Sequence, residues 1–284
     1  MPVAEWRVRG RTLSTADGTL IMGVVNVTPD SFSDGGAFLD PARAVRHGLD
    51  LVAAGAHLVD VGGESTRPGA GPVPVAEERS RVVPVIAELA AAGVVVSVDT
   101  AKPEVAAAAI DAGAAVVNDV TALADPEMAR LAAAAGVGVV LMHMQGTPRT
   151  MQDEPRYDDV VAEVTEFLVG RAAAAVAAGV AREAVCIDPG IGFGKTSEHN
   201  LALLAGLPAL TGTGYPVMVG ASRKSFLGTL LGGLPPRDRD EATAAVSALA
   251  AAAGAAVIRV HEVARTAVAV RVANAIVRAS TAGE

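Results

Sequence analysis

The chain has 284 residues, 51% hydrophobic and 19% charged, which supplies a large core and argues against disorder. Its formal net charge of −8 argues against a general nucleic-acid surface, which needs an extended basic face, and leaves room only for a local basic pocket. One cysteine, Cys186, excludes an internal disulfide and fits a reducing compartment; inside the apolar run Ala184 to Ile187 it reads as a core residue, not a nucleophile.

Met1 to Arg9 lacks the apolar centre of a signal peptide, and no run of about 18 apolar residues is free of helix breakers, so a soluble, cytoplasmic protein is expected. Trp6 to Thr19 reads as a short hairpin. Eight brief runs dense in Val, Ile, Leu or Met come next: Leu20 to Val27, His57 to Val61, Val94 to Val98, Ala115 to Asn118, Val137 to Met142, Val185 to Asp188, Pro216 to Gly220 and Ala256 to Val260. They barely alternate, as strands buried on both faces do. Between them lie helical stretches, from Pro41 to Ala54 (N-capped by Asp40), Val75 to Ala92, Pro103 to Ala112, Pro126 to Ala135, Asp158 to Ala178 and Asp240 to Ala253. Each of these six stops at a glycine. Eight strands with helical crossovers predict an α/β protein with a parallel sheet closed into a (β/α)8 TIM barrel, one domain over residues 1–284, the hairpin plugging its N-terminal mouth. An open doubly wound sheet is the weaker alternative, since no Gly-x-Gly-x-x-Gly follows the first strand.

Polar residues cluster just after the strands. Asn26-Val-Thr-Pro-Asp-Ser-Phe follows the first, Asp60-Val-Gly-Gly-Glu-Ser-Thr-Arg-Pro-Gly the second, Ser97-Val-Asp99-Thr the third and Asn118-Asp119 the fourth. His143-Met-Gln, Asp188-Pro-Gly-Ile-Gly-Phe-Gly-Lys, Gly220-Ala-Ser-Arg-Lys-Ser and Arg259-Val-His261-Glu complete the set. In a barrel all eight reach the same rim, where active sites are built, so an enzyme is expected. Asp99, Asn118 and Asp188 supply hydrogen-bonding groups that suit a flat heterocycle with an aminopyrimidine edge, although each also fits a turn cap. Arg67, Lys224, Arg259 and His261 bring positive charge to that rim and point to an anionic substrate or leaving group. Gly35-Gly36 and Gly62-Gly63, with Gly69 and Gly71, make the first two loops candidates for closure over substrate. The glycine run after Asp188 is not a P-loop, because its required first glycine falls at Pro189. His261-Glu-Val-Ala-Arg265 lacks the second histidine of a zinc protease helix, and no Cys/His pairing suggests structural zinc.

Asn26-Val-Thr-Pro-Asp-Ser-Phe-Ser-Asp-Gly-Gly36, Asp188-Pro-Gly-Ile-Gly-Phe-Gly-Lys195 and Ser222-Arg-Lys-Ser225, in that order from Met22 to His261, resemble the dihydropteroate synthase family. The resemblance implies a Mg²⁺-dependent transferase of folate biosynthesis that joins 6-hydroxymethyl-7,8-dihydropterin diphosphate to 4-aminobenzoate, releasing diphosphate. It implies that Asp99, Asn118, Asp188 and Lys224 hold the pterin and that Arg259 stacks over it. Asn26, Arg259 and His261 would receive the diphosphate, with Mg²⁺ near Asn26. Asp34, Thr66, Arg67 and Pro68 would close over the site, Phe193 and Ser222 would line the aminobenzoate pocket, and Met142 would join the substrate-binding set. A homodimer through the late barrel helices and sensitivity to sulfonamides are further implications. Glu262, where the family often has Asp, lies outside the expected contacts.

Aniline is a modest nucleophile, so the expected route is SN1-like loss of diphosphate, with cations neutralising the departing charge and no covalent enzyme intermediate. Three alternatives stay open: a pterin-dependent methyltransferase barrel, a paralogue that binds pterin without catalysis, and a synthase using another acceptor.

Overall fold

Valine-rich segments without alternation need cover on both sides, and a closed barrel ringed by helices provides it. The computed structural model describes residues 4–28, 40–65 and 71–281. After an antiparallel hairpin of β1 (Glu5–Val8) and β2 (Arg11–Ser14) come β3 (Leu20–Asn26), β4 (Leu58–Gly62), β5 (Val96–Asp99), β6 (Val116–Asp119), β7 (Gly138–Met142), β8 (Val185–Asp188), β9 (Met218–Val219) and β10 (Val257–Val260). These eight pair in parallel in the order β8-β7-β6-β5-β4-β3-β10-β9. The ring closes where Ile187 bridges Val217 and donates its N–H to Pro216 O at 2.9 Å.

The barrel forecast is thus met, with strand ends shifted by a residue or two. The main departure is β9, which forms over Met218 and Val219 instead of Pro216 to Gly220, because Pro216 has no N–H to give to a ladder and contributes only its carbonyl. The helices are α1 (Pro41–Ala53), α2 (Val75–Ala91), α3 (Pro103–Asp111), α4 (Pro126–Ala135), α5 (Val160–Ala177), α6 (Ser197–Ala205), α7 (Leu207–Thr211), α8 (Ser225–Leu230), α9 (Asp240–Ala252) and α10 (Val263–Thr281). Helix α5 starts two residues later than expected because Asp159 is its N-cap, accepting from Val161 N and Ala162 N at 3.0 Å each. Gly136, which ends α4, sits at φ 62°, a left-handed C-cap that a side chain would strain. Helices α6, α7, α8 and α10 were not anticipated. The first is nucleated by a capping box between Thr196 and His199, not by a proline.

Residue parity sorts the barrel into an inner and an outer layer. Ile21 and Val25 of β3, Val59 and Val61 of β4 and their counterparts pack against the helices. Leu20, Met22, Leu58, Val116, Val140, Cys186, Met218 and Val257 instead form one inner cluster with Trp6 and Val8 of the hairpin. Trp6 is 1% exposed and donates its indole N–H to Ala184 O at 2.9 Å. Val8 lies against Gly138, where an added Cβ would stand 2.6 Å from its methyl. The hairpin therefore seals the N-terminal mouth. Cys186, fully buried in this cluster, has its thiol pushed well up by burial and by the nearby Asp188, as an inert core residue should. No described helix is long and apolar enough to cross a membrane.

Candidate active site

Further along five of the strands, the same inward parity turns polar. Asp60, Asp99, Asn118, Asp188 and Arg259 occupy the layer above the apolar plug. The Arg259 guanidinium spans the barrel, donating from Nε to Asp60 Oδ2 at 2.7 Å and from Nη2 to Asp99 Oδ2 at 2.8 Å. Two carboxylates thus share one cation, which leaves the trio one excess negative charge in a buried setting. Burial is the main cause of the rise of Asp99 to about 7, helped by Asp60 and opposed by Arg259. Burial alone would lower Arg259, but Asp60 and Asp99 outweigh it and hold the guanidinium protonated.

Asp60 also orients Asn118. Its carboxylate can only accept, and it takes the Asn118 amide N–H at 3.0 Å. The Asn118 carbonyl oxygen is therefore free to face the cavity, as an acceptor. Asp188 accepts from Gly190 N at 2.7 Å and is pushed up to about 6, chiefly by burial, with Gly190, Lys224, Arg259 and Lys195 opposing. The resulting rim presents acceptors from three strands: Asp99, Asn118 and Asp188.

The turn after β8 runs against the end of β7. Gly190 sits at φ 67°, and any side chain there would collide with the His143 carbonyl. Phe193 from this turn has Lys224 Nζ 3.8 Å over its ring. Lys224 is presented by a strained turn, with Arg223 held at φ 58°. Arg223 binds Asp240 through both carboxylate oxygens, at 2.7 and 2.8 Å, while Arg239 donates to the carbonyls of Arg223 and Lys224 at 3.0 and 3.2 Å. Beside this turn, Ser222 Oγ and His261 Nδ1 pair at 3.0 Å.

A narrow cleft, with room for about 30 Å³ of solvent, opens at this rim. Asp99, Asn118, Met142, Asp188, Phe193, Lys224 and Arg259 line it, with Val120, Ile191 and Met218 as apolar walls. These seven anticipated residues are brought together. Ser222 and His261 form their own pair nearby, and Asn26 stands at the end of β3, opposite Gly62 of β4. Asp34, Thr66, Arg67 and Pro68 lie outside the described residues. No group of three His, Cys, Asp or Glu that could hold a metal exists among the described residues. Asn26 brings a single hard amide oxygen, a donor set that suits Mg²⁺ only if phosphate oxygens complete it.

Several functional-layer residues escaped the sequence reading. Asp60 was quoted within its motif but given no role, although its inward parity in β4 marks it. Lys195 and His143 form a buried pair behind Phe193. Lys102 binds Glu64, Glu78 at 2.5 Å and the Val73 carbonyl at 2.8 Å, joining the segments on either side of residues 66–70. Only contacts distant in sequence reveal these.

The pterin binding enzyme family matches residues 22–261. The dihydropteroate synthase of Mycobacterium leprae is 53% identical over 90% of this chain and 92% of its own. The chain belongs to this family. Among solved structures, the Xanthomonas albilineans dihydropteroate synthase with 4-aminobenzoic acid has 50% identity and a TM-score of 0.89, covering 96% of this chain and 98% of that one. A Yersinia pestis dihydropteroate synthase, solved as a sulfonamide drug complex, has 44% identity and a TM-score of 0.90, covering 98% and 99%. These dihydropteroate synthases match this chain over nearly its whole length, and the pterin-dependent methyltransferase reading falls away.

Proposed function

We propose that this chain, a single pterin-binding barrel, is a transferase that joins 6-hydroxymethyl-7,8-dihydropterin diphosphate to 4-aminobenzoate, giving 7,8-dihydropteroate and diphosphate. The observation that carries this is the three-strand ring of acceptors. Asp99, the Asn118 carbonyl and Asp188 complement the donor-rich edge of an aminopyrimidinone, and Asp60 fixes the Asn118 amide in the orientation that makes it so.

Each residue then has a task. Lys224, which lines the same cleft, would hold the ring system with Asp99, Asn118 and Asp188, and Arg259, anchored by Asp60 and Asp99, would stack over the ring. The bond between the pterin methylene and the diphosphate oxygen breaks first, and the bond from that methylene to the aniline nitrogen forms after it. Asp188, ionised at neutral pH, stabilises cationic character spreading from the methylene into the ring. Arg259 and His261 take the diphosphate charge. Asn26 is the residue that would reach a Mg²⁺ carried by the diphosphate, and such an ion would neutralise charge on the leaving group. The departing diphosphate oxygen keeps the electron pair of the broken bond, the aniline nitrogen gives up its proton to water after the new bond forms, and no enzyme nucleophile is required. Phe193 and Ser222 form the acceptor side, Met142 joins the substrate-binding set, and Asp34, Thr66, Arg67 and Pro68 are assigned by motif to closure over the site.

The late helices carry exposed apolar side chains, with Leu249 71%, Val268 66% and Ile276 66% exposed. A second copy of the chain seated on this face of α9 and α10 makes the working unit a homodimer. Light scattering of wild type and Val268→Asp tests this, with a dimer expected for the first and a monomer for the second.

The deciding experiment is diphosphate release by purified protein with Mg²⁺ and the pterin diphosphate, with and without 4-aminobenzoate. Acceptor-dependent release with equal dihydropteroate formation is expected, inhibited competitively by sulfonamides. Release that ignores the acceptor, or no release despite pterin binding, overturns the proposal in favour of a binding paralogue or another acceptor.

A further inference from the structure

Among the described residues, Lys195 is a cation of the site's shell with no task in the proposed chemistry, and it is almost entirely enclosed, at 3% exposure. An ammonium so buried normally faces a carboxylate. Here all three of its donors go elsewhere: to Phe193 O at 2.9 Å, to His143 Nδ1 at 2.9 Å and to His143 O at 3.4 Å. Burial, with Lys224 in support and Asp188 opposed, pushes its pKa down to about 7. His143 is pushed down to about 3, by burial and then by Lys195 itself, so it stays neutral and offers Nδ1 as the acceptor.

The arrangement joins two strand ends through one side chain. His143 follows β7 and donates its N–H to Asp188 O at 3.0 Å, while Phe193 sits on the turn after β8. Three other carbonyls of that turn are also taken. Phe193 N–H holds Gly190 O, Gln152 holds Gly192 O, and Tyr157 holds Gly194 O, at 3.0, 3.0 and 2.8 Å. Gln152 and Tyr157 are on the solvent side of the turn; Lys195 is the buried tie. The backbone it fixes carries the Phe193 ring that meets Lys224 Nζ.

We infer that Lys195 is a positioning residue for the acceptor half of the site, setting the Phe193 ring against Lys224 through its buried link to His143. It touches no substrate itself. The inference rests on the acceptor role assigned to Phe193, and it predicts that Lys195 governs capture of the aromatic amine while leaving the pterin, held by Asp99, Asn118 and Asp188, unaffected.

The test is a double-mutant cycle with Lys195→Met and Phe193→Leu, reading KM for 4-aminobenzoate and the Kd of the pterin diphosphate by calorimetry. Lys195→Met is expected to raise that KM about tenfold in wild type and less than about twofold in Phe193→Leu, with the pterin Kd unchanged. Additive effects, or a pterin Kd weakened as much as the KM, overturn it. Should Lys195→Met fail to fold, His143→Phe removes the Nδ1 end of the link while the lysine keeps its bond to Phe193 O, and a rise in KM that shrinks in the Phe193→Leu background is again expected. A readout independent of turnover separates this inference from the functional reading. In protein carrying 4-fluorophenylalanine, the Phe193 fluorine resonance, assigned with Phe193→Leu, moves in Lys195→Met and the Phe226 resonance does not. An unmoved Phe193 resonance sinks the inference whether or not the wild type turns over.

Discussion

The two ends of the barrel interior are built from the same strands, one or two side chains apart, and have opposite chemistry. Leu58 precedes Asp60 on β4, Val116 precedes Asn118 on β6, Cys186 precedes Asp188 on β8 and Val257 precedes Arg259 on β10. The lower member of each pair packs on the hairpin, and the upper one lines or supports the cavity. The lower layer gains stability from apolar burial. The upper layer costs stability, because it encloses three carboxylates around one guanidinium and raises two of them, Asp99 and Asp188. A barrel separates these tasks by height along a strand, so its floor and its rim should fail in different ways.

Arg259→Met should break both at once. It leaves Asp60 and Asp99 buried without their cation, a loss of about 3–5 kcal/mol by denaturant titration, and it removes turnover. Trp6→Ala probes the floor alone. Unfolding should cost about 3–5 kcal/mol less. At temperatures well below melting, kcat/KM should stay within about twofold of wild type. A large drop in kcat/KM would mean that floor and rim are coupled. Asp188→Asn probes the rim alone: kcat/KM should fall about 10²-fold or more, while melting at pH 8 is no lower than wild type, because a buried charge has been removed.

The smallest effect is the pH dependence. In the proposed role an ionised Asp188 accepts from the pterin more strongly than the protonated acid does, so pterin affinity should decline as pH drops below about 6, and Asp188→Asn should lose that inflection. Stability runs the other way. Asp99 and Asp188 have folded pKa values of about 7 and about 6, above the ordinary carboxylate value of 3.8, so the native state holds protons that the unfolded chain has released. Their contribution is fully present below that ordinary value and is lost as pH rises through 6 and 7. Melting curves of wild type against Asp99→Asn across this window measure the rim's share.

Much of this division was legible in the sequence. Strand-end polar clusters located the rim, and glycine punctuation set the helix ends. What escaped notice depends on parity and on distant contacts. Asp60 looks like one more polar residue in a glycine-rich motif until β4 is known to run from Leu58, which points it inward at Arg259, 199 residues away in sequence. Lys195 looks like the closing lysine of a turn until His143, 52 residues earlier, is brought to its side. Helices α7 and α8 were too short for a periodic signal, and α6 takes its start from a Thr196–His199 box that composition does not announce. Of the seven residues gathered in the cleft, Asp99, Asn118, Asp188, Lys224 and Arg259 were readable because each ends or follows a strand, where the fold forces convergence, while Met142 and Phe193 came with the family resemblance.

Cys186 has a practical consequence. Its sulfur lies inside the barrel, between the plug and Asp188, so a thiol reagent reaches it only when strands part. The rate at which that single site is labelled is a clock for opening of the barrel itself, undiluted by fraying at the surface. Any small molecule that settles on the rim above must slow the clock by the factor its occupancy dictates. The chain thus carries its own probe for ranking ligands of the rim by affinity, with no turnover and no added dye.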